Sequence, residues 1–215
     1  MRYKWLDEYL MAKPAVTQDV QEGWNWRRYK IGDKMFCAVC MEWGTNEPYY
    51  INLKLEPAEG EFLRGQYEDI IPGYYSAKRC WNSVKPDGAV PDELLKELLD
   101  KSYALVLGGF SKKKQREILS TVSRCGANCL TCYCFGEMCK GCNACDGHVF
   151  HMKEGERCPI YVCAGEKGYA DCGGCPDAPC DIWRRTRDPK FSDEEFQKNI
   201  EGRLKLLKEV GKVKP

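Results

Sequence analysis

Twelve of the chain's fifteen cysteines fall between Cys125 and Cys180, a window of fifty-six residues that holds only eleven Leu, Ile, Val, Met, Phe or Tyr. Ordering a backbone costs about 1–2 kcal/mol per residue, and so few apolar side chains cannot offset it. The sulfur atoms must organise this stretch, as disulfides or as metal ligands. Spacing separates the two. Cys125, Cys129 and Cys132 read C-x3-C-x2-C, Cys139, Cys142 and Cys145 read C-x2-C-x2-C, and Cys172, Cys175 and Cys180 read C-x2-C-x4-C; Cys134, Cys158 and Cys163 lie between. A three-residue step lets both thiolates of a knuckle face one ion, whereas a disulfide across so small a loop constrains the unfolded chain little. The opening Met1 to Glu8 carries charges where a secretory signal needs an unbroken apolar run. No stretch approaches the roughly 18 apolar residues of a membrane span. A cytoplasmic, reducing compartment is expected, and there such patterns bind metal.

Twelve thiolates divide naturally into three four-sulfur sites. Zinc suits them, because structural zinc takes four cysteines, or three and a histidine, from C-x2-C knuckles. Each ion can contribute about 10–16 kcal/mol of apparent binding energy. His148 and His151 are possible substitutes, but Asp-Gly-His reads more simply as an exposed turn. Iron–sulfur clusters are the alternative: Cys139, Cys142 and Cys145 copy the first three ligands of a bacterial ferredoxin run, with Val149 where the fourth should stand. The 125–132 spacing also matches radical-SAM enzymes. Only eighty-three residues follow Cys132, too few for the barrel they need.

Thirty-three basic residues face thirty-two acidic ones, evenly spread along the chain. Neither half has the basic footprint of a nucleic-acid binder, and zinc-bound thiolates would turn the second half acidic. Before the cysteines, residues 2–11 read as a helix with Leu6, Tyr9 and Leu10 inward. Residues 24–31, 34–43 and 48–55 form a three-stranded meander with turns at Gly32-Asp33 and Gly44-Thr45-Asn46. Cys37 and Cys40 share its middle strand, where residues three apart face opposite ways, so they read as buried thiols rather than a redox pair. Residues 57–69 form a second helix with Phe62 and Leu63 inward; residues 71–75 turn, and 79–84 run extended. Pro91 opens a third helix, burying Leu94, Leu95, Leu98, Leu99, Tyr103 and Val106 and ending at Gly108-Gly109. Lys112-Lys113-Lys114 reads as a solvated linker. After Asp188-Pro189, a capping box at Ser192 and Glu195 starts a last helix with Phe196, Ile200, Leu204 and Leu207 on its core face.

Ordered landmarks over residues 1–119 resemble the MmcQ/YjbR family: Lys13-Pro14, Gly32-Asp33-Lys34-Met35-Phe36, Leu53-Lys54, Pro72-Gly73-Tyr74, Lys78, Trp81-Asn82-Ser83-Val84, Asp87-Gly88, Pro91 and Ser102-Tyr103. The resemblance implies a double-wing α+β domain, an antiparallel sheet backed by helices, in a family called DNA-binding by fold analogy, which is a thin warrant. The family commonly places histidine before the tryptophan; here it is Cys80. Lys78, Arg79, Trp81 and Asn82 are the candidate ligand or nucleic-acid contacts, with Ser102 and Tyr103 nearby. Core anchors with solvated cations are the plainer reading. Arg27, Arg28, Lys30 and Lys34 are further candidates for phosphate, diluted by Glu22, Asp33 and Glu42.

Residues 120–215 form the second expected domain. Its opening CGxxCxxC, Cys139-Lys-Gly-Cys142, Cys158-Pro-Ile-Tyr-Val-Cys163, Glu166-Lys167-Gly168 and Cys172-Gly-Gly-Cys175-Pro-Asp-Ala-Pro-Cys180 resemble a bacterial and archaeal cysteine-rich domain. That resemblance implies metal binding, zinc above all. The chain contains no P-loop, dinucleotide fingerprint or HExxH motif, and two histidines leave little scope for acid–base work. The expectation is an α+β domain followed by a small metal-organised domain and a C-terminal helix, acting as a binding or adaptor protein for protein, nucleic acid or a small ligand. An iron–sulfur redox protein and a zinc-handling protein are the alternatives.

Overall fold

Continuous burial from Phe36 to Met41 and from Ile51 to Leu53 puts these segments at the centre of a sheet, covered on both faces. A computed structural model describes residues 1–213. The chain divides into two units: Met1–Met11 with Val16–Gln115, and Ala12–Ala15 with Arg116 onwards. In the first unit six antiparallel strands run β1 (Val16–Gln21), β2 (Trp26–Ile31), β3 (Lys34–Met41), β4 (Pro48–Lys54), β5 (Ile70–Pro72) and β6 (Trp81–Val84), in the order β1-β2-β3-β4-β6-β5. Helices α1 (Leu6–Met11), α2 (Pro57–Gln66) and α3 (Asp92–Gly108) pack on β1, β5 and β2–β4 respectively. This is the α+β architecture expected.

Several local expectations change. β1 was not foreseen: Val-Thr-Gln-Asp-Val-Gln buries only Val16, so it has no apolar alternation and is held by backbone pairing to β2. Ile71 and Pro72, read as part of a turn, join Ile70 in an edge strand paired with β6. Phe62, expected inward, is 66% exposed, because α2 buries Gly60 and Leu63 instead. The Lys112–Lys114 run is not a linker but the first turn of α4 (Lys112–Leu119), with its lysines exposed. Cys37 and Cys40 are buried on β3 as expected, and desolvation pushes both thiols up, Cys40 to about 12.

A β-bulge between Tyr29 and Lys30 skips Phe36, which stands edge-on to Tyr103 of α3 at 5.6 Å. Beside it the buried Ser102 hydroxyl donates to Phe36 O at 2.6 Å and accepts from Lys54 N at 2.8 Å. One side chain thus satisfies backbone groups of two strands and fixes α3 on the sheet.

The second unit has little regular structure. It contains α5 (Pro159–Glu166), α6 (Asp181–Arg185), α7 (Asp193–Val213) and two 3₁₀ turns, Cys129–Thr131 and Cys172–Gly174. Ser192 and Glu195 cap α7 reciprocally, at 2.8 and 3.2 Å. Phe196, Ile200 and Leu207 of α7 join Val149, Ile160, Tyr161, Ala164 and Trp183 in one buried cluster that includes Cys158 and Cys172. The helix sits very close to the cysteine loops: a Cβ on Gly126 would lie 2.4 Å from Arg203 O, and one on Gly173 would lie 3.1 Å from Leu207 Cβ. Among the described residues no helix is long and apolar enough to cross a membrane.

Candidate metal centres

Tight backbone turns between cysteines shape the loops of the second unit. Cys132 N donates to Cys129 O at 3.0 Å, Cys139 N to Cys134 O at 2.9 Å, and Cys175 N to Cys172 O at 3.1 Å. Gly141, at φ +93°, takes a left-handed conformation open to a residue without Cβ. Its N–H reaches Cys139 Sγ at 3.4 Å. Such an N–H···S contact strengthens when the sulfur is a thiolate.

Around these turns the sulfurs fall into neighbourhoods. Cys163, Cys172, Cys175 and Cys180 line one cavity of about 20 Å³, room for about one water-sized sphere. Cys142 stands beside Cys129 and has Cys125 and Cys158 as further sulfur neighbours. Cys134 neighbours Cys132 and Cys139, and Cys139 neighbours Cys145. Cys125 also lies near Cys172, so the neighbourhoods adjoin. Among the described residues no group of three or more His, Cys, Asp or Glu is arranged to hold a metal ion. The sulfurs are near one another without converging on a point.

Burial and neighbouring thiols disfavour the thiolate form at most of these positions. Burial raises the Cys134 and Cys145 thiols and pushes Cys172 up to about 11. The neighbouring Cys129 raises the Cys142 thiol, and Cys142 in turn holds Cys129 below its ordinary value. Trp183 pulls the other way. Its buried indole Nε1 has no regular hydrogen-bond partner, yet it stands beside Cys172 and draws that thiol's titration down. A neutral thiol is a poor acceptor; a metal-bound thiolate would complete this donor. The donor set therefore fits a thiophilic ion such as zinc. Arg203 stacks over the Trp183 ring at 3.9 Å and donates to Cys125 O at 2.9 Å, tying the adjoining groups together.

The ferredoxin-like run is divided: Cys139 and Cys145 neighbour each other, whereas Cys142 sides with Cys129. His148 and His151 are both exposed; His148 Nδ1 lies 3.1 Å from Glu156 O, and His151 stands edge-on to Phe150.

The first-unit candidates separate. Lys78 and Arg79 project into solvent, Trp81 is half-buried and Asn82 is buried against Arg64. Asn82 and Ser102 are therefore internal supports rather than surface contacts. Gly73 belongs with them, since a Cβ there would strike Trp81 Cβ at 2.6 Å. Ser83 bonds Asn52 at 2.5 Å and receives Tyr74 N at 2.8 Å. On the first hairpin Arg28 grips Asp19 with two bonds of 2.7 and 2.8 Å, and Lys30 joins at 2.6 Å, holding the Asp19 carboxyl down at about 2. Arg27 lies 3.7 Å from Asp7, and Lys34 sits over the Phe110 ring. Sequence reasoning missed Trp183 as a donor, because an indole N–H gives no motif.

Comparison with known proteins divides the chain the same way. Residues 11–105 match the YjbR family model, and residues 135–185 match that of a protein of unknown function, DUF3795. The "Uncharacterized protein YjbR" of Escherichia coli (strain K12) is 32% identical over 109 residues, 51% of this chain and 90% of that protein. The "Uncharacterized protein YbdF" of Escherichia coli O157:H7 is 33% identical over 90 residues, 42% of this chain and 71% of that protein. Among solved structures, Deinococcus radiodurans protein DR2400, with domain DUF419, is 33% identical, covering 53% of this chain and 84% of its own at a TM-score of 0.48.

Proposed function

The chain belongs to the YjbR family through residues 11–105, and from that premise we propose that it is a two-domain binding protein whose second unit is organised by zinc. What supports this reading is the crowding of twelve cysteines into fifty-six residues, four of which, Cys163, Cys172, Cys175 and Cys180, line one cavity. The proposed ligand sets are Cys132, Cys134, Cys139 and Cys145; Cys125, Cys129, Cys142 and Cys158; and Cys163, Cys172, Cys175 and Cys180. The first two sets interleave along the chain, while the third follows them. Bound zinc would supply charge compensation for the buried thiolates and crosslinks between loops; four-sulfur sites are closed to catalysis. Nucleic acid is a poor fit to the first unit, since Arg27, Arg28 and Lys30 already face Asp7 and Asp19.

Elemental analysis of anaerobically purified full-length protein tests this. About three zinc per chain and a colourless solution are expected, one ion per four-cysteine site. Cys175→Ser with Cys180→Ser should remove one ion and spare the others, and Cys142→Ser should disturb the same ion as Cys129→Ser. Broad absorbance near 400 nm with about four irons per cluster would replace zinc by iron–sulfur chemistry. Rapid loss of zinc to a mild chelator without unfolding would point to zinc handling instead.

A further inference from the structure

Two hairpin tips of the first unit close around an aromatic recess remote in sequence from the cysteines. Trp24, Trp26, Trp43, Tyr49 and Tyr75 face it, and Glu42 is the one acidic or basic residue of its lining. Its volume of about 370 Å³ lies in the range of small-ligand pockets, about 300–1,000 Å³. Trp43 and Tyr75 are 69% and 80% exposed, an unfavourable display unless something covers them. The walls are held in place. Asn25 and Asn46 both sit at left-handed φ, 52° and 55°, where asparagine is tolerated. The Asn25 amide donates to Glu42 O at 2.9 Å and to Asn46 Oδ1 at 3.1 Å, stapling one turn to the other. Trp26 Nε1 donates to Tyr49 Oη at 3.1 Å, and Trp24 stands against Trp26 at 5.3 Å.

Ring faces carry negative potential, and so does the carboxylate. A phosphate would meet repulsion and no cation to hold it. A methylated ammonium has the opposite requirements: it makes no strong hydrogen bonds, sheds water readily and is attracted by π faces. We propose that this recess binds a small molecule carrying a quaternary ammonium group, with Trp24, Trp43 and Tyr75 as the cage and Glu42 as its counter-charge.

Choline and its neutral carbon isostere 3,3-dimethylbutan-1-ol, titrated into the full chain and followed by tryptophan fluorescence, provide the test. Choline should saturate the signal, and the alcohol should bind about tenfold more weakly, the scale of a desolvated cation–π contact. Glu42→Gln should weaken choline several-fold and leave the alcohol unchanged. Trp43→Ala should abolish choline binding at an unchanged thermal midpoint, because that ring is mostly exposed. Equal binding of alcohol and choline, tighter binding of adenosine monophosphate than of choline, absence of saturable choline binding, or full affinity in Trp43→Ala would each overturn the proposal.

Discussion

In the first unit Leu6, Ile31, Phe36, Ile51, Leu53, Leu95 and Leu99 are fully buried along a six-stranded sheet. The second unit gathers its buried apolar side chains around Trp183, while the loops from Cys125 to Cys145 contain almost none. The first unit offsets backbone ordering with apolar area. The second has α7 and Trp183 on one side and, on the other, loops held by short-range backbone hydrogen bonds and by side chains such as Asn143, which donates to Ser120 O and Val122 O; each such bond is worth little net in water. On the proposed zinc reading, two neighbouring stretches of one chain depend on different forces, apolar burial in the first and sulfur-held ions in the second.

Removing metal should separate the two most sharply. After exhaustive chelation under reductant, hydrogen exchange in residues 125–180 should collapse to near-unprotected rates, with loss on the scale of about 10–16 kcal/mol per structural ion. Residues 26–54 should keep their protection. Equal protection in both units would break the comparison. Next in size is Leu99→Ala, at a site with no exposure. It should destabilise the first unit by about 2–5 kcal/mol, read from denaturant melts, with zinc content unchanged. The smallest effect concerns Asp19. Its carboxyl is held from 3.8 down to about 2 by Arg28 and Lys30. A depressed acid contributes stability above its unfolded value and loses it as pH falls through the folded one. The advantage of wild type over Asp19→Asn, measured by hydrogen exchange at residues 16–31, should therefore hold at neutral pH and shrink between about pH 4 and pH 2.

Periodic segments were legible in the sequence: α3 through Leu95, Leu98, Leu99, Tyr103 and Val106, and α7 through its capping box. β1 was not, because an edge strand held by backbone pairing needs no apolar alternation. Phe62 misled because α2 packs through Gly60, so close to Asn82 that a Cβ would lie 2.8 Å from its side chain. The family landmarks Gly73, Asn82, Ser83 and Ser102 proved to be internal supports, which explains why they mark a fold without marking a ligand. The cysteine positions were evident, but their grouping was not. Spacing ranks partners along the chain, whereas Cys142 finds Cys129 across an intervening loop.

The bare backbones at Gly126 and Gly173 carry a lesson for anyone redesigning this protein. Each lets the last helix rest on a cysteine-bearing loop, Gly126 against the Arg203 carbonyl and both glycines against the Leu207 side chain. Enlarging Gly126 would force the helix backbone away and drag Cys125 with it, whereas enlarging Gly173 would ask Leu207 to give by only a few tenths of an ångström. Spacing, helix and loops must therefore be altered as a set, and a graft of the sulfur-bearing loops without that helix would leave behind part of what keeps them in shape.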